Sequence, residues 1–327
     1  MRPRTLLRGA LSALLLAAAL AAPATAHAAP SPPVGGAPKP IVGGGQATES
    51  YPFMTSLQVN GRHGCGGSLV DDEWVVTAAH CVTDQGGGTM PASRFQLRIG
   101  SHDNSSGGTT VSVSRIVKHP SYHGLPGNHD IALMRLSRAV SNQPVALATS
   151  SPAARTETRL LGWGQTCPQQ GCQQTPPRML KQLDTRINPD HMCAAGFNPG
   201  NELCVYGTTR DTACYGDSGG PALVRADGRW ELVGATSRAG QNGSTCGTGD
   251  ATIYTDVTAF RSWIGQHVGG TGPGPDPEPC DARAWSPQEY YAPGSTVSYQ
   301  GGLWRSAYWN YGQVPGQSYA WQRAGDC

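Results

Sequence analysis

Three short segments carry residues that could activate a hydroxyl nucleophile: Thr77-Ala78-Ala79-His80-Cys81, His129-Asp130-Ile131-Ala132-Leu133 and Gly216-Asp217-Ser218-Gly219-Gly220-Pro221. A serine hydroxyl attacks a carbonyl poorly unless a base removes its proton, and imidazole, which titrates near neutrality, suits that task. A carboxylate can hold the imidazole in the required tautomer and stabilise the imidazolium. Each segment alone has an ordinary explanation. With nine histidines, any one is more often a surface or core residue, and Gly-Asp-Ser-Gly-Gly could be a simple turn. Together, in the order His, Asp, Ser and downstream of Ile41-Val42-Gly43-Gly44, they point to acyl transfer. Ser218 would be the nucleophile, His80 the base and Asp130 the orienting carboxylate.

Strands must position these residues. Gly (44) and Pro (26) are abundant, which implies many turns and few long helices. Phe95-Gln96-Leu97-Arg98-Ile99 and Val111-Ser112-Val113 alternate apolar and polar, the period of a half-buried strand. Phe260, Trp263, Ile264 and Val268 recur at helical spacing and predict one amphipathic helix late in this region. The fold class expected is therefore all-β, closed by a C-terminal helix.

The N-terminus reads as an export signal over residues 1–26. Arg2, Arg4 and Arg8 precede an apolar stretch from Ala10 to Ala22, and Ala24-Thr25-Ala26 offers a cleavage motif. The stretch is shorter than the roughly 20 residues a bilayer-spanning helix needs, and no later segment is better suited. A secreted, extracellular protein with no membrane partner is expected. Ten cysteines fit an oxidising compartment, and no Cys/His cluster has the spacing of zinc ligands, so disulfides are the expected use. Net charge is only +2 and the 24 basic residues form no run, which argues against a nucleic-acid partner.

From Ile41 to Val268 the chain resembles the trypsin/chymotrypsin family of serine peptidases, on the His80, Asp130 and Ser218 motifs and the upstream Ile-Val-Gly-Gly. The resemblance implies two six-stranded antiparallel β-barrels with the active site between them, no cofactor, and an enzyme acting as a monomer on protein or peptide substrates. It implies an oxyanion hole from the backbone N–H groups of Gly216 and Ser218, and a role for Ser237 in contacting Asp130. It also implies a zymogen, with residues 27–40 as propeptide and a new amine at Ile41 pairing with Asp217. The bond to be cut is Pro40–Ile41, so a cut after Lys39 does not release Ile41 directly; a separate maturation protease, or trimming after an initial cut, is expected. Disulfides Cys65–Cys81 and Cys214–Cys246 follow from the same resemblance, with Cys167–Cys172 and Cys193–Cys204 as local pairs.

In this family the floor of the specificity pocket lies six residues before the nucleophile. Here that residue is Thr212, followed by Ala213, and the resemblance also implies Ser237 as a pocket residue. A neutral floor favours apolar or aromatic substrate side chains, because no buried charge pairs with a cation. A one-residue shift would instead bring Asp211 inward and favour Lys or Arg. Arg238 stands where relatives usually carry Trp, which alters the wall along the substrate backbone. The stretch Ser101-His102-Asp103-Asn104-Ser105-Ser106, matching the family's calcium loop, offers one acid, so no metal is expected.

Residues 269–279, GGTGPGPDPEP, read as a semi-extended linker. Beyond it, residues 280–327 hold four of the eight Trp and six of the eleven Tyr, which marks a second, very small domain. Trp285, Tyr290, Gly294, Val297, Tyr299, Trp304, Tyr308-Trp309, Pro315 and Trp321 resemble the small β-rich chitin- and cellulose-binding modules of carbohydrate-binding families 5 and 12. The resemblance implies that Tyr308 and Trp309 stack on sugar faces, with chitin or cellulose as an insoluble partner. Trp285, Trp304 and Trp321 would form the core, and Cys280–Cys327 would clamp the ends. Two other functions fit parts of the chain. One is a catalytically silent polysaccharide-binding protein, which the intact triad argues against. The other is a carbohydrate-active enzyme, which would need a catalytic carboxylate pair in place of the serine-peptidase set.

Overall fold

The computed structural model describes residues 41–124, 129–167, 177–194, 196–240, 246, 251–268, 282–299 and 302–326. The strands up to residue 256 are β1 (Gly45–Gln46), β2 (Met54–Val59), β3 (Arg62–Asp71), β4 (Trp74–Thr77), β5 (Phe95–Ile99), β6 (Thr109–Lys118), β7 (Ala132–Leu136), β8 (Ala146–Leu147), β9 (Glu157–Gly162), β10 (Lys181–Arg186), β11 (Glu202–Tyr206), β12 (Pro221–Ala226), β13 (Arg229–Ala239) and β14 (Ala251–Asp256).

Strands β2-β3-β4-β7-β6-β5 form a closed barrel of antiparallel pairs, and closure removes the exposed edges that an open sheet would leave. The alternation read in the sequence is visible in it. Phe95, Leu97 and Ile99 are buried while Gln96 faces solvent. Their inward side chains pack with Leu57, Leu69, Val75 and Leu133, all essentially inaccessible. Fully burying one such side chain contributes about 1.5–3 kcal/mol.

For the second half, the described residues give an open strand order in place of a continuous closed ladder. It is an eight-stranded sheet in the order β1-β10-β9-β12-β13-β14-β11, with β8 alongside β13. Among the described residues its ends meet at one bridge: Ile187 pairs with Val205, and the Asn188 N–H donates to the Cys204 carbonyl. Pro189 follows at once and offers no N–H to continue the pairing in that direction. The expected helix is also shorter. Val257–Phe260 is a 3₁₀ turn, capped by the Asp256 carboxylate on the Thr258 N–H, and α1 spans only Arg261–Gly265.

The aromatic-rich segment has its own small core. Strands β16 (Thr296–Tyr299), β17 (Gly302–Ser306) and β19 (Trp321–Asp326) form one antiparallel sheet, and β15 (Tyr290–Tyr291) pairs with β18 (Asn310–Tyr311). Tyr291, Val297, Ala320 and Trp321 are buried together, with Trp285 and Trp304 half-buried against them. The indole N–H groups of Trp304 and Trp321 donate to the carbonyls of Tyr299 and Gln313, so those polar atoms stay satisfied.

Candidate active site

His80 lies in a 3₁₀ turn, Ala79–Val82, directly after β4, and Asp130 immediately precedes the run into β7. Because β4 and β7 are neighbours in the barrel, residues 50 apart in sequence meet at one end of it. The Asp130 carboxylate accepts the His80 Nδ1–H at 2.8 Å and the His80 backbone N–H at 2.9 Å. It also accepts the Ser237 hydroxyl at 2.6 Å. Burial would push this carboxyl up, but the adjacent imidazole, its two N–H groups and the Ser237 hydroxyl together hold it below the ordinary carboxylate range. With the proton fixed on Nδ1, the Nε2 lone pair of His80 is free to take one.

Ser218 is brought to this end by backbone pins. Its carbonyl accepts the Gly66 N–H at 2.7 Å, and Gly66 follows Cys65, which is disulfide-bonded to Cys81 beside His80. The Gly219 N–H donates to Thr236, next to the Ser237 that holds Asp130. Gly219 has φ +73°, and a Cβ there would overlap the Thr77 hydroxyl and the Gly66 carbonyl, so only glycine lets the loop approach so closely. Among the described residues the Ser218 hydroxyl makes no hydrogen bond, and His80 Nε2 lies 3.8 Å from Cys81 Sγ. Such bonds are often loose without substrate.

The Ser218 loop leaves two donors open. The N–H groups of Asp217, Gly219 and Gly220 are bonded to Cys214, Thr236 and Asp217, whereas those of Gly216 and Ser218 have no partner among the described residues. Gly216 adopts φ +95°, and its carbonyl accepts the His63 Nε2–H at 2.9 Å. His63 Nδ1 then accepts from the Ser56 hydroxyl at 2.9 Å. Burial pushes the His63 imidazole down to about 4, so it is a neutral strut that fixes the loop. His63 was not singled out in the sequence, because a lone His before Gly carries no pattern.

Asp217 is enclosed, and its two oxygens accept the N–H groups of Gly164 (2.8 Å) and Cys214 (2.9 Å). Burial outweighs those bonds and pushes the carboxyl up to about 7. Ile41 is completely buried, with φ +39°, a strained setting for a β-branched residue. Val42 bridges Thr212, whose N–H donates to the Val42 carbonyl at 2.9 Å. This docks the segment two residues from the Cys214 that holds Asp217.

Thr212 and Ala213 are buried, whereas Asp211 is exposed and its carboxylate accepts from Thr208. The Thr212 hydroxyl lies 2.9 Å from that of Thr252 on β14, a neighbour no motif revealed. Cys193–Cys204 and Cys214–Cys246 are bonded, while Cys167–Cys172 and Cys280–Cys327 include partners outside the described residues. Cys65, His80 and Cys81 come close enough to suggest metal ligation, but both sulfurs are committed to their disulfide. Asp103, the one acid of the calcium-like stretch, is held by Ser105 and Arg178. No helix among the described residues is long and apolar enough to cross a membrane.

In the C-terminal segment Tyr308 and Trp309 are 59% and 73% exposed. Three aromatics the sequence did not single out as binding residues join them at the surface: Tyr290, Tyr311 and Tyr319. Tyr290 and Tyr311 sit opposite one another across β15 and β18 with ring centroids 4.5 Å apart. Asn310 is buried and donates to the Ser306 hydroxyl and the Tyr308 carbonyl, which fixes the turn bearing Tyr308 and Trp309.

Comparison with known proteins agrees with this geometry. The family model described as trypsin matches residues 41–264. Trypsin beta of Drosophila erecta is 35% identical over 236 residues, covering 68% of this chain and 87% of the relative. Trypsin delta of Drosophila melanogaster (68% and 87% covered) and trypsin alpha-4 of Lucilia cuprina (68% and 86%) are each 34% identical. A match of that extent, over a barrel that carries the His80–Asp130 pair, shows that the chain belongs to the trypsin family and is a serine endopeptidase.

Proposed function

We propose that the chain is an exported zymogen whose mature form hydrolyses peptide bonds through Ser218, His80 and Asp130 while its C-terminal module holds it on insoluble polysaccharide. His80 takes the Ser218 proton as Oγ attacks the scissile carbonyl, then delivers it to the leaving amine, giving an acyl-enzyme that water resolves. The open N–H groups of Gly216 and Ser218 receive the developing oxyanion, each donor contributing about 3 kcal/mol in the transition state. The His80 Nδ1–Asp130 bond at 2.8 Å, which frees Nε2, is the observation that carries this reading.

In this reading residues 1–26 direct export and 27–40 are removed. Cleavage of Pro40–Ile41 by a separate protease frees the Ile41 amine, which pairs with Asp217. Two observations support it: Asp217 is buried with no cation beside it among the described residues, and the strained torsion at Ile41 exists only while Pro40 is attached. Purified precursor incubated alone should stay uncut at Ile41; prompt self-release of that N-terminus would refute a separate protease.

Exposed Asp211 and the buried Thr212–Thr252 hydroxyl pair support a pocket with a neutral floor, bounded also by Ala213 and Ser237. Substrate profiling should return uncharged side chains before the cut bond, and cleavage confined to Lys and Arg would overturn this. Residues 280–327, joined by a linker at 269–279, form the tethering module, with Tyr308 and Trp309 as stacking faces. The exposed Tyr290, Tyr311 and Tyr319 support an extended platform, since so much exposed aromatic surface on a small unit is otherwise costly. Retention of the full chain on chitin or cellulose, lost in a Tyr308→Ala/Trp309→Ala variant, is the expected result. No retention on either solid would remove the tether.

A further inference from the structure

Arg238 lies on β13 directly after Ser237, whose hydroxyl donates to the Asp130 carboxylate. A bulge in the β13–β14 pairing falls between Thr236 and Arg238. It aims Ser237 at Asp130 and leaves Arg238 opposite Ile253, from where its guanidinium reaches across β14 to Glu202 on β11. The two groups meet fork to fork, Nη1 to Oε1 at 2.5 Å and Nη2 to Oε2 at 3.0 Å. Nη2 also donates to the Gly196 carbonyl at 3.1 Å, and the Glu202 carboxylate accepts the Asn198 N–H at 2.9 Å. The Cys193–Cys204 disulfide closes the loop that supplies both partners.

The pair is asymmetric in exposure. The Glu202 side chain is 1% accessible and both its oxygens are bonded, whereas the Arg238 side chain is 12% accessible. What a passing peptide meets is therefore the edge of a cation whose counter-charge lies beneath it. Arg is the residue suited to this: its planar fork can serve a buried carboxylate on one side and keep further N–H groups for another acceptor.

We propose that Arg238 is a specificity-determining residue that favours a carboxylate side chain, Asp or Glu, in the substrate two to four residues before the cut bond. This rests on the reading of Ser237–Ala239 as the wall of the substrate groove. The attraction acts near solvent and part of the charge is already neutralised, so the preference is several-fold and weakens with salt.

The test uses the matured full-length enzyme and peptides differing only by Asp, Asn or Lys at each of those positions. At one position the kcat/KM ratio of Asp over Asn should be about three to tenfold at low ionic strength and fall toward unity in 0.5 M NaCl. Arg238→Gln combined with Glu202→Gln avoids leaving a buried charge unpaired and should bring the ratio to about one, whereas Arg238→Lys should retain part of it. A clamp with only a structural role would lower turnover of the Asp and Asn peptides equally. A parent ratio near one at every position, or a ratio kept in the double variant, would overturn the proposal while leaving the peptidase intact. If no peptide is cleaved, the groove reading falls and the proposal with it.

Discussion

Cutting the Pro40–Ile41 bond should change how stability depends on pH, and Asp217 sets the size of the change. In the uncut chain its carboxyl is pushed from the ordinary 3.8 up to about 7 by burial. Folded chain thus keeps a proton that unfolded chain releases near pH 4, so stability falls as pH rises between those values. Three units at about 1.4 kcal/mol each make the loss about 4 kcal/mol, complete above pH 7. A freed Ile41 amine would supply the missing cation, keep the carboxyl ionised over the whole interval and abolish that loss. The assay is urea unfolding at pH 4, 5.5, 7 and 8, on precursor and on chain matured by an added protease, both carrying Ser218→Ala to prevent self-digestion. The stability gap between them should widen by about 4 kcal/mol from pH 4 to pH 7. Asp217→Asn in the precursor should remove its pH slope over that range. A gap constant with pH, or an undiminished slope in the Asn variant, would refute the reasoning.

Other substitutions separate the parts of the account. Ser218→Ala should lower turnover by on the order of 10⁶ while leaving retention on polysaccharide unchanged, read by peptide hydrolysis and pull-down of one preparation. Gly216→Ala places a side chain at φ +95° and should cost about 1–3 kcal/mol in urea unfolding, with a larger fall in kcat than rise in KM. Thr212→Asp puts a carboxylate where a hydroxyl now meets Thr252, and should raise Lys and Arg cleavage relative to Leu by at least about tenfold.

The parts of the site legible in the sequence are those whose chemistry is local. His80, Asp130 and Ser218 announce themselves because each lies in a short motif dictated by tight geometry, and alternation in Phe95–Ile99 marks a strand whichever strands it pairs with. What depends on pairing between distant strands was not legible. Thr252 meets Thr212 because β14 runs beside the loop that leads into Cys214, 40 residues earlier in the chain. His63 and Glu202 have ordinary sequence neighbourhoods, and their importance comes from the Gly216 carbonyl and the Arg238 guanidinium that the fold sets against them. The meeting of Ile187 with Val205, between strands distant in sequence, was equally invisible to a reading of local motifs. The exposed Tyr290, Tyr311 and Tyr319 show the same limit: a Tyr-rich stretch reads equally as core or as surface until Tyr291 and Trp321 have filled the interior.

The account stands on one proton transfer, from the hydroxyl of residue 218 to the imidazole of residue 80. It is tested most directly by treating the matured protein with a phosphonofluoridate that labels activated serines and locating the adduct by peptide mass spectrometry. A single stoichiometric adduct on Ser218, formed with loss of peptidase activity and absent in His80→Ala, is the expected result. Labelling of a different serine, or full peptidase activity with Ser218 unmodified, would contradict it.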